Sequence, residues 1–287
     1  MSASRKTVLM QDFGLHPVDQ IPASIKDAAT LEMSHFMVSL IINQELIGSG
    51  TLVRVGDTFA ILTAHHVAEL MEADRVTHLG VNIAAEPHGF FLPIQTLQHV
   101  VVGQCAAGVN EELGPDLSLL RLLDLEAIGT IAKKKPFYNL DVPSREEFWS
   151  ELPIDQMLWY VVGAPAERSR SQGQRGTRNH VLVAVHLIGE GTFKERVTRD
   201  GFDFVTLRFL AGSHNFPLNY GGVSGGGVWL LPLTMNPDKG PSTISYDPPL
   251  LAGVAFYQFG LDSGEREIVC HGPQSIALRA RDALRAT

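Results

Sequence analysis

Apolar residues in this 287-residue chain come mostly in short runs rich in Val, Ile, Leu and Phe, each stopped within roughly eight to fifteen positions by Gly, Pro, Asn or Asp. Runs of that length and makeup read as strands, so the rhythm confines the chain to an all-β class. Strands are expected at 35–42, 47–55, 58–63, 78–83, 95–102 and 117–123, with one short helix at 67–73. Between 126 and 155 the pattern loosens around Lys133, Lys134, Lys135 and Pro136, which reads as a connection. A second series follows at 157–162, 180–188, 203–210, 227–231, 251–259 and 265–271. Residues 274–286 set Ile276, Ala277, Leu278 and Leu284 among arginines, the pattern of an amphipathic helix. Two sets of about six strands imply two packed β-barrels or sandwiches with a cleft between them.

The divisions that follow are an N-terminal arm (1–32), a first barrel (33–125), a linker (126–155), a second barrel (156–272) and a C-terminal helix (273–287). The arm lacks clear periodicity and carries no assigned role. An apolar content of 45% is that of a globular chain with a sizeable core. A net charge of −8 argues against nucleic acid or an anionic membrane as partner. The one basic cluster, four arginines at 168–178, sits among Ser, Gln and Gly and reads as a solvated loop. The first residues do not build the apolar core of a signal peptide, and no run of about 18 apolar residues could span a bilayer. Cys105 and Cys270 are far apart without metal-ligand spacing, which suits a reducing compartment, so a cytoplasmic location is expected.

One serine stands out chemically. Gly221-Gly222-Val223-Ser224-Gly225-Gly226-Gly227 encloses Ser224 in nearly bare backbone and leads into the apolar run 228–231. Glycines there let a carbonyl approach the hydroxyl and let backbone N–H groups turn toward the oxygen that becomes negative. By itself such a cluster is more often an ordinary surface turn. A serine nucleophile also needs a histidine base and a carboxylate to orient it. Of eleven histidines, His65-His66 has the suggestive context, because the buried strand 58–63 ends there and a helix begins.

Gly48-Ser49-Gly50-Thr51, Thr63-Ala64-His65-His66-Val67 and Gly222-Val223-Ser224-Gly225-Gly226 occur in the order and setting of the G-x-G-T, T-A-x-H-V and G-x-S-G-G segments of the chymotrypsin-like (trypsin-like) serine proteases. Between them, Asp116-Leu117-Ser118-Leu119-Leu120-Arg121-Leu122 resembles that family's Asp-x-A-L-L-x-L strand. Trp159-Tyr160-Val161-Val162-Gly163-Ala164-Pro165 is similar to the strand and turn opening its second barrel. The resemblance is to the disulfide-free intracellular and bacterial branch and covers residues 33–285. It implies two six-stranded antiparallel β-barrels and a serine endopeptidase without cofactor or metal. Ser224 would be the nucleophile, His66 the general base, Asp116 its orienting acid, and the N–H groups of Gly222 and Ser224 the oxyanion hole. Because neighbours on a strand face opposite ways, only one of His65 and His66 can face the cleft, and the motif selects His66. The intervals of 50 residues from His66 to Asp116 and 108 from Asp116 to Ser224 leave room for the intervening strands.

The chain departs from that pattern at Val223, where the secreted enzymes carry an aspartate that pairs with a newly cut N-terminus. Activation by N-terminal insertion is therefore not expected, and the uncut chain is either competent or switched by a protein partner. By counting, Leu218 falls at the floor of the specificity pocket, with Tyr220, Phe256, Tyr257 and Cys270 as further substrate-contacting candidates and His271 as a second candidate for the far wall. Nothing acidic stands there, so an apolar or small residue before the cut is expected rather than Lys or Arg. Two alternatives remain open. Gly222 to Gly226 also fits the G-x-S-x-G turn of an α/β-hydrolase esterase, but that fold needs a helix directly after the serine, and only 47 residues separate Ser224 from His271. A protease-like binding module with an idle triad is the non-enzyme reading.

Overall fold

The computed structural model describes residues 6–8, 21–82, 90–105, 114–141, 149, 154, 157–168, 170–172, 181–183, 187–210, 221–235, 244–259 and 265–287. Strand β1 (Lys6–Val8) and helix α1 (Ala23–Ser34) precede a first sheet built from β2 (Met37–Ile42), β3 (Glu45–Val55) and β4 (Thr58–Thr63). After α2 (His65–Glu69) the sheet is completed by β5 (His78–Asn82), β6 (Phe90–Pro93), β7 (Leu97–Gly103) and β8 (Leu117–Leu122). All six residues of β2 are buried, as a strand covered on both faces requires. Asn43 and Gln44, both at positive φ, close the hairpin into β3, the two-residue turn whose twist matches paired strands.

This sheet corrects one expectation. It runs in the order β6-β5-β2-β3-β4-β8-β7 and is open, where a closed six-stranded barrel was expected. The cause lies in the run 90–103, which bends through a 3-10 turn at Ile94–Thr96. Ile94 N–H donates to the Thr77 carbonyl (3.0 Å), and Leu123 N–H donates to the Thr96 carbonyl (2.9 Å). One arm of the bend therefore pairs with β5 and the other with β8, so both sheet edges belong to one run and a turn stands where a closing ladder would be.

The expected connection begins with α3 (Leu125–Ala132), capped by Asp124, whose carboxylate accepts from Glu126 N–H at 2.9 Å. Its Ala127, Ile128 and Ile131 pack into the core of the first sheet. β9 (Tyr138–Asn139) then lies parallel to β3. Lys135, 7% exposed, donates to the carbonyls of Ser34 (3.0 Å) and Met37 (2.7 Å), tying the end of α1 to the start of β2. Burial brings its ammonium down to about 8. From there to about 10.4, the folded chain has lost this proton while the unfolded chain still holds it, so unfolding free energy rises with pH. Urea midpoints across that window should rise more steeply for wild type than for Lys135→Met; equal slopes would show that Lys135 stays charged in the fold.

The second half holds β10 (Leu158–Gly163), the pair β11 (Arg170–Gln172) and β12 (Val181–Val183), then β13 (Leu187–Arg199), β14 (Phe202–Leu210) and β15 (Gly227–Leu231). β16 (Leu233–Met235), β17 (Ser245–Tyr246), β18 (Leu250–Phe259) and β19 (Glu265–His271) follow. Here the expected barrel does close, in the order β10-β13-β14-β19-β18-β15. Trp159, Val161, Val205, Leu207, Phe209, Val228 and Leu230 fill it. β1 adds an edge to β16, which anchors that part of the arm on the second half.

A separate cluster joins Met37, Val53 and Leu62 of the first sheet to Tyr160, Trp229 and Val254 of the barrel. The expected C-terminal helix is present as a π-helical stretch, Ser275–Ala280, continuing into α4 (Arg281–Arg285). Ile276, Ala280 and Leu284 face inward at four-residue spacing, which leaves Leu278 on the exposed side. Buried Asp203 of β14 holds its start, accepting from Ser275 N–H at 2.7 Å, while Arg196 completes the ion pair at 2.7 Å.

Candidate active site

β4 ends at Thr63, and Ala64, extended at φ −70° and ψ 146°, turns the chain into α2. His65 and His66 thus diverge on a helix, not by the alternation of a strand, and the outcome is the same. His65 is 7% exposed, and its Nδ1 lies 3.0 Å from Ser118 Oγ. Ser118 Oγ in turn is 2.9 Å from His99 Nε2, and His99 Nδ1 is 2.6 Å from Glu72 Oε1. The His66 side chain is 49% exposed. Its Nδ1 stands 2.5 Å from Asp116 Oδ2, and its backbone N–H donates to Asp116 Oδ1 at 2.9 Å.

Both oxygens of one carboxylate therefore grip one histidine, through its ring and through its main chain. With Nδ1–H committed to Asp116, Nε2 of a neutral ring is left as the acceptor. Burial acts to raise the Asp116 carboxyl, but the hydrogen bond from His66, the His66 charge and the His66 amide outweigh it and hold the carboxyl below its usual range.

Ser224 lies in the turn before β15, and the first half of the chain holds that turn. Ser49 N–H of β3 donates to the Ser224 carbonyl at 2.8 Å. The Ser49 hydroxyl donates to the Gly222 carbonyl at 2.7 Å and accepts from Ala164 N–H at 2.8 Å. Thr63 Oγ1 donates to the Ser49 carbonyl at 2.7 Å. Gly222 (φ +89°) and Gly225 (φ +85°) adopt the left-handed backbone that other residues avoid. A side chain at Gly225 would run into the Ser49 carbonyl, Thr63 Oγ1 and the Ala64 amide. At Gly48 it would meet Val67, the residue after His66, and the Ser224 carbonyl. The serine turn is thus seated against the strand end and helix start that carry His66.

The N–H groups of Gly222 and Ser224 have no acceptor among the described residues. Val223 points inward at 2% exposure and packs into the barrel core, so apolar burial occupies the position read from sequence as lacking the aspartate. Replacing Ser49 by alanine removes two bonds and leaves the Ala164 amide unpaired in a buried place. A loss of about 1–3 kcal/mol in unfolding free energy is expected, and a chemical denaturation midpoint equal to wild type would show that the staple contributes nothing.

Of the expected substrate-contacting residues, Leu218 and Tyr220 lie outside the described residues. Phe256 is core, packed edge-on against Phe204 (6.0 Å) and tilted against His271 (5.0 Å). Cys270 is also core: it is fully buried in the barrel, and burial pushes its thiol far up. His271 is likewise fully buried and lines no open wall. These three placements correct the expectation: Cys270 points into the closed barrel, whereas its neighbour His271 faces the other way and is buried with Phe256 and Phe204, which pack into the core of the first sheet. Tyr257, partly exposed with its ring 4.9 Å from that of Phe259, is the candidate still open to a ligand. Ser49 and His271 acquire places here that sequence reasoning did not assign. The Gly48-Ser49-Gly50 spacing was a usable signal for the first, whereas His271, read as a candidate for the far wall, has nothing near it in the sequence that points to Asp116. Among the described residues no three His, Cys, Asp or Glu are grouped to hold a metal ion, and no helix is long and apolar enough to cross a membrane.

No family model and no curated protein matches the chain. Among solved structures it is similar to neuropsin, described as a serine protease expressed in the limbic system of mouse brain, at 15% identity over 88% of this chain and 96% of that one, with a TM-score of 0.46. It is similar to kallikrein-related peptidase 10 at 14% identity over 88% and 96%, TM-score 0.47. It is likewise similar to human heparin binding protein at 12% identity over 89% and 92%, TM-score 0.45.

Proposed function

We propose that this chain is a serine endopeptidase working through Ser224, His66 and Asp116. The observation that carries the reading is the double grip of Asp116 on His66, at 2.5 and 2.9 Å, beside a serine turn tied to the same strand end. A carboxylate so placed fixes the tautomer in which His66 Nε2 can accept a proton. On substrate binding, Ser224 Oγ attacks the peptide carbonyl as its proton passes to Nε2. The carbonyl oxygen becomes an oxyanion facing the N–H groups of Gly222 and Ser224. His66 then returns the proton to the leaving amine, and an acyl-enzyme at Ser224 remains for water to hydrolyse through the same base.

The substrate is a protein or peptide with an apolar or small residue before the cut, and Tyr257 contributes to that subsite. Because Val223 is packed in the core, no ion pair to a new N-terminus is needed to form the turn, and the uncut chain is competent unless a protein partner restrains it. A cytoplasmic location belongs to the same reading.

A serine-directed fluorophosphonate probe tests it on the intact chain. Labelling of wild type that disappears in Ser224→Ala and His66→Ala supports the enzyme. No labelling of wild type with or without cell extract favours an idle module, and peptide-library cleavage dominated by Arg or Lys would sink the apolar preference.

A further inference from the structure

A second histidine touches Asp116 from the opposite half of the molecule, through the main chain rather than the carboxylate. His271, the last residue of β19, has 0% exposure, with the rings of Phe256, Phe204 and Phe202 at 5.0, 5.1 and 5.7 Å. Its Nε2 lies 3.0 Å from the backbone nitrogen of Asp116. A backbone N–H can only donate, so Nε2 is the acceptor and is unprotonated. The proton of the neutral ring then sits on Nδ1, which has no hydrogen-bond partner among the described residues. Burial, working against the pull of Asp116 and Asp203, brings the His271 pKa down to about 4. Among the described residues the imidazole therefore makes one hydrogen bond, and that bond goes to the main chain of Asp116, which holds His66.

The packing around it points the same way. Phe204 and Phe256 also crowd the approach to Asp116, since a side chain at Gly114 would meet Phe204 at 2.6 Å and Phe256 at 3.2 Å. The aromatic wall sets where the segment enters, and the His271 acceptor pins the first atom of Asp116. Asp116 precedes β8 of the first sheet, whereas β19 pairs with β18, the strand against which the serine turn leads into β15. The bond thus ties the acid of the triad to the barrel that presents Ser224.

We propose that His271 is a positioning residue of the triad, its Nε2 acceptor holding the Asp116 backbone so that the carboxylate meets both the ring and the amide of His66. The role rests on the protease reading above, and it makes the seating of the two halves a determinant of His66 geometry. A displacement of about 1 Å at such a group is worth about 10²-fold in rate.

The test compares His271→Phe, which keeps a ring without an acceptor, with His271→Gln, whose side-chain oxygen reaches the place of Nε2. NMR follows the His66 ring nitrogens and the Nδ1 proton across pH, and fluorophosphonate labelling rates are taken in parallel. Expected for the Phe variant are loss of the His66–Asp116 proton signal, a His66 titration midpoint below that of wild type, and labelling slowed about 10²-fold. The Gln variant should stay near wild type in all three. If the Phe variant does not fold, His271→Asn replaces it, because its shorter amide cannot reach Asp116 and should reproduce the loss. An unmoved His66 titration in a folded Phe or Asn variant overturns the proposal, as does a Gln variant impaired to the same degree as Phe. If wild type is never labelled, the protease reading fails while the His66 titration still decides the positioning role.

Discussion

If the chain is the endopeptidase proposed above, replacing His66 by alanine is expected to lower peptide hydrolysis by about 10⁶-fold, whereas His65→Ala should keep most of it. The size follows from the way triad members act as a unit, so that losing the base alone costs about as much as losing the whole constellation. Ser224→Ala should fall to the same floor, and the double variant should be no slower than either single one. Asp116→Asn is expected at a loss of about 10⁴-fold, since it abolishes the preference for Nδ1–H. The contrast between the adjacent histidines is the sharper part. His65 spends its Nδ1 on buried Ser118 within a chain that ends on His99 and Glu72, and it has no bond to Asp116. His66 has two such bonds. Turnover of a peptide identified by mapping new termini in a digested proteome measures both. Full activity in His66→Ala with a dead His65→Ala would overturn the assignment.

Acidification from pH 6.5 to about 4 is expected to remove about 3 kcal/mol of stability through His271 alone. Its pKa is about 4 in the fold and about 6.5 in an unfolded chain. Between those values the unfolded chain takes up a proton that the folded chain refuses, so unfolding free energy falls as pH falls. The magnitude is the gap between the two pKa values at 1.36 kcal/mol per unit. Above pH 6.5 the contribution is fully present. Below about 4 the folded ring protonates, Nε2 becomes a donor facing the Asp116 amide, and the bond to the triad is lost. Urea unfolding at several pH values measures the slope. His271→Gln has no proton to take up there and should lose about 3 kcal/mol less across the window, whatever its stability at pH 7. Parallel curves for the two proteins would mean that His271 is already protonated in the fold.

The strand rhythm and the ordered segments around His66, Asp116 and Ser224 were legible because each depends on near neighbours in sequence. Short apolar runs stopped by Gly, Pro, Asn or Asp, glycine at a turn and a histidine where a strand passes into a helix are local features. The second barrel closed as expected, since its six strands join edge to edge. The first did not, because the bend at Ile94–Thr96 is a change of direction inside a run that reads as one strand. The substrate side was the poorest reading. Counting back from Ser224 ended on residues outside the described part of the chain, and counting along β18 and β19 cannot tell which positions the barrel interior or the opposite half covers. Cys270 is buried inside the barrel, Phe256 and His271 are buried on its other side beside the first sheet, and Tyr257 stays partly exposed.

Sequence alone determined the class of fold, the order of histidine, aspartate and serine, and the bare backbone around Ser224. Tertiary structure decided which of two adjacent histidines meets Asp116, that Ser49 staples the serine turn, and that His271 accepts from the Asp116 main chain. The reason is distance along the chain. The Ser49–Gly222 and Asp116–His271 bonds join residues 173 and 155 positions apart. A hydrogen bond of 3 Å between them exists only when two sheets seat in one register, and periodicity within a strand carries no information about that register.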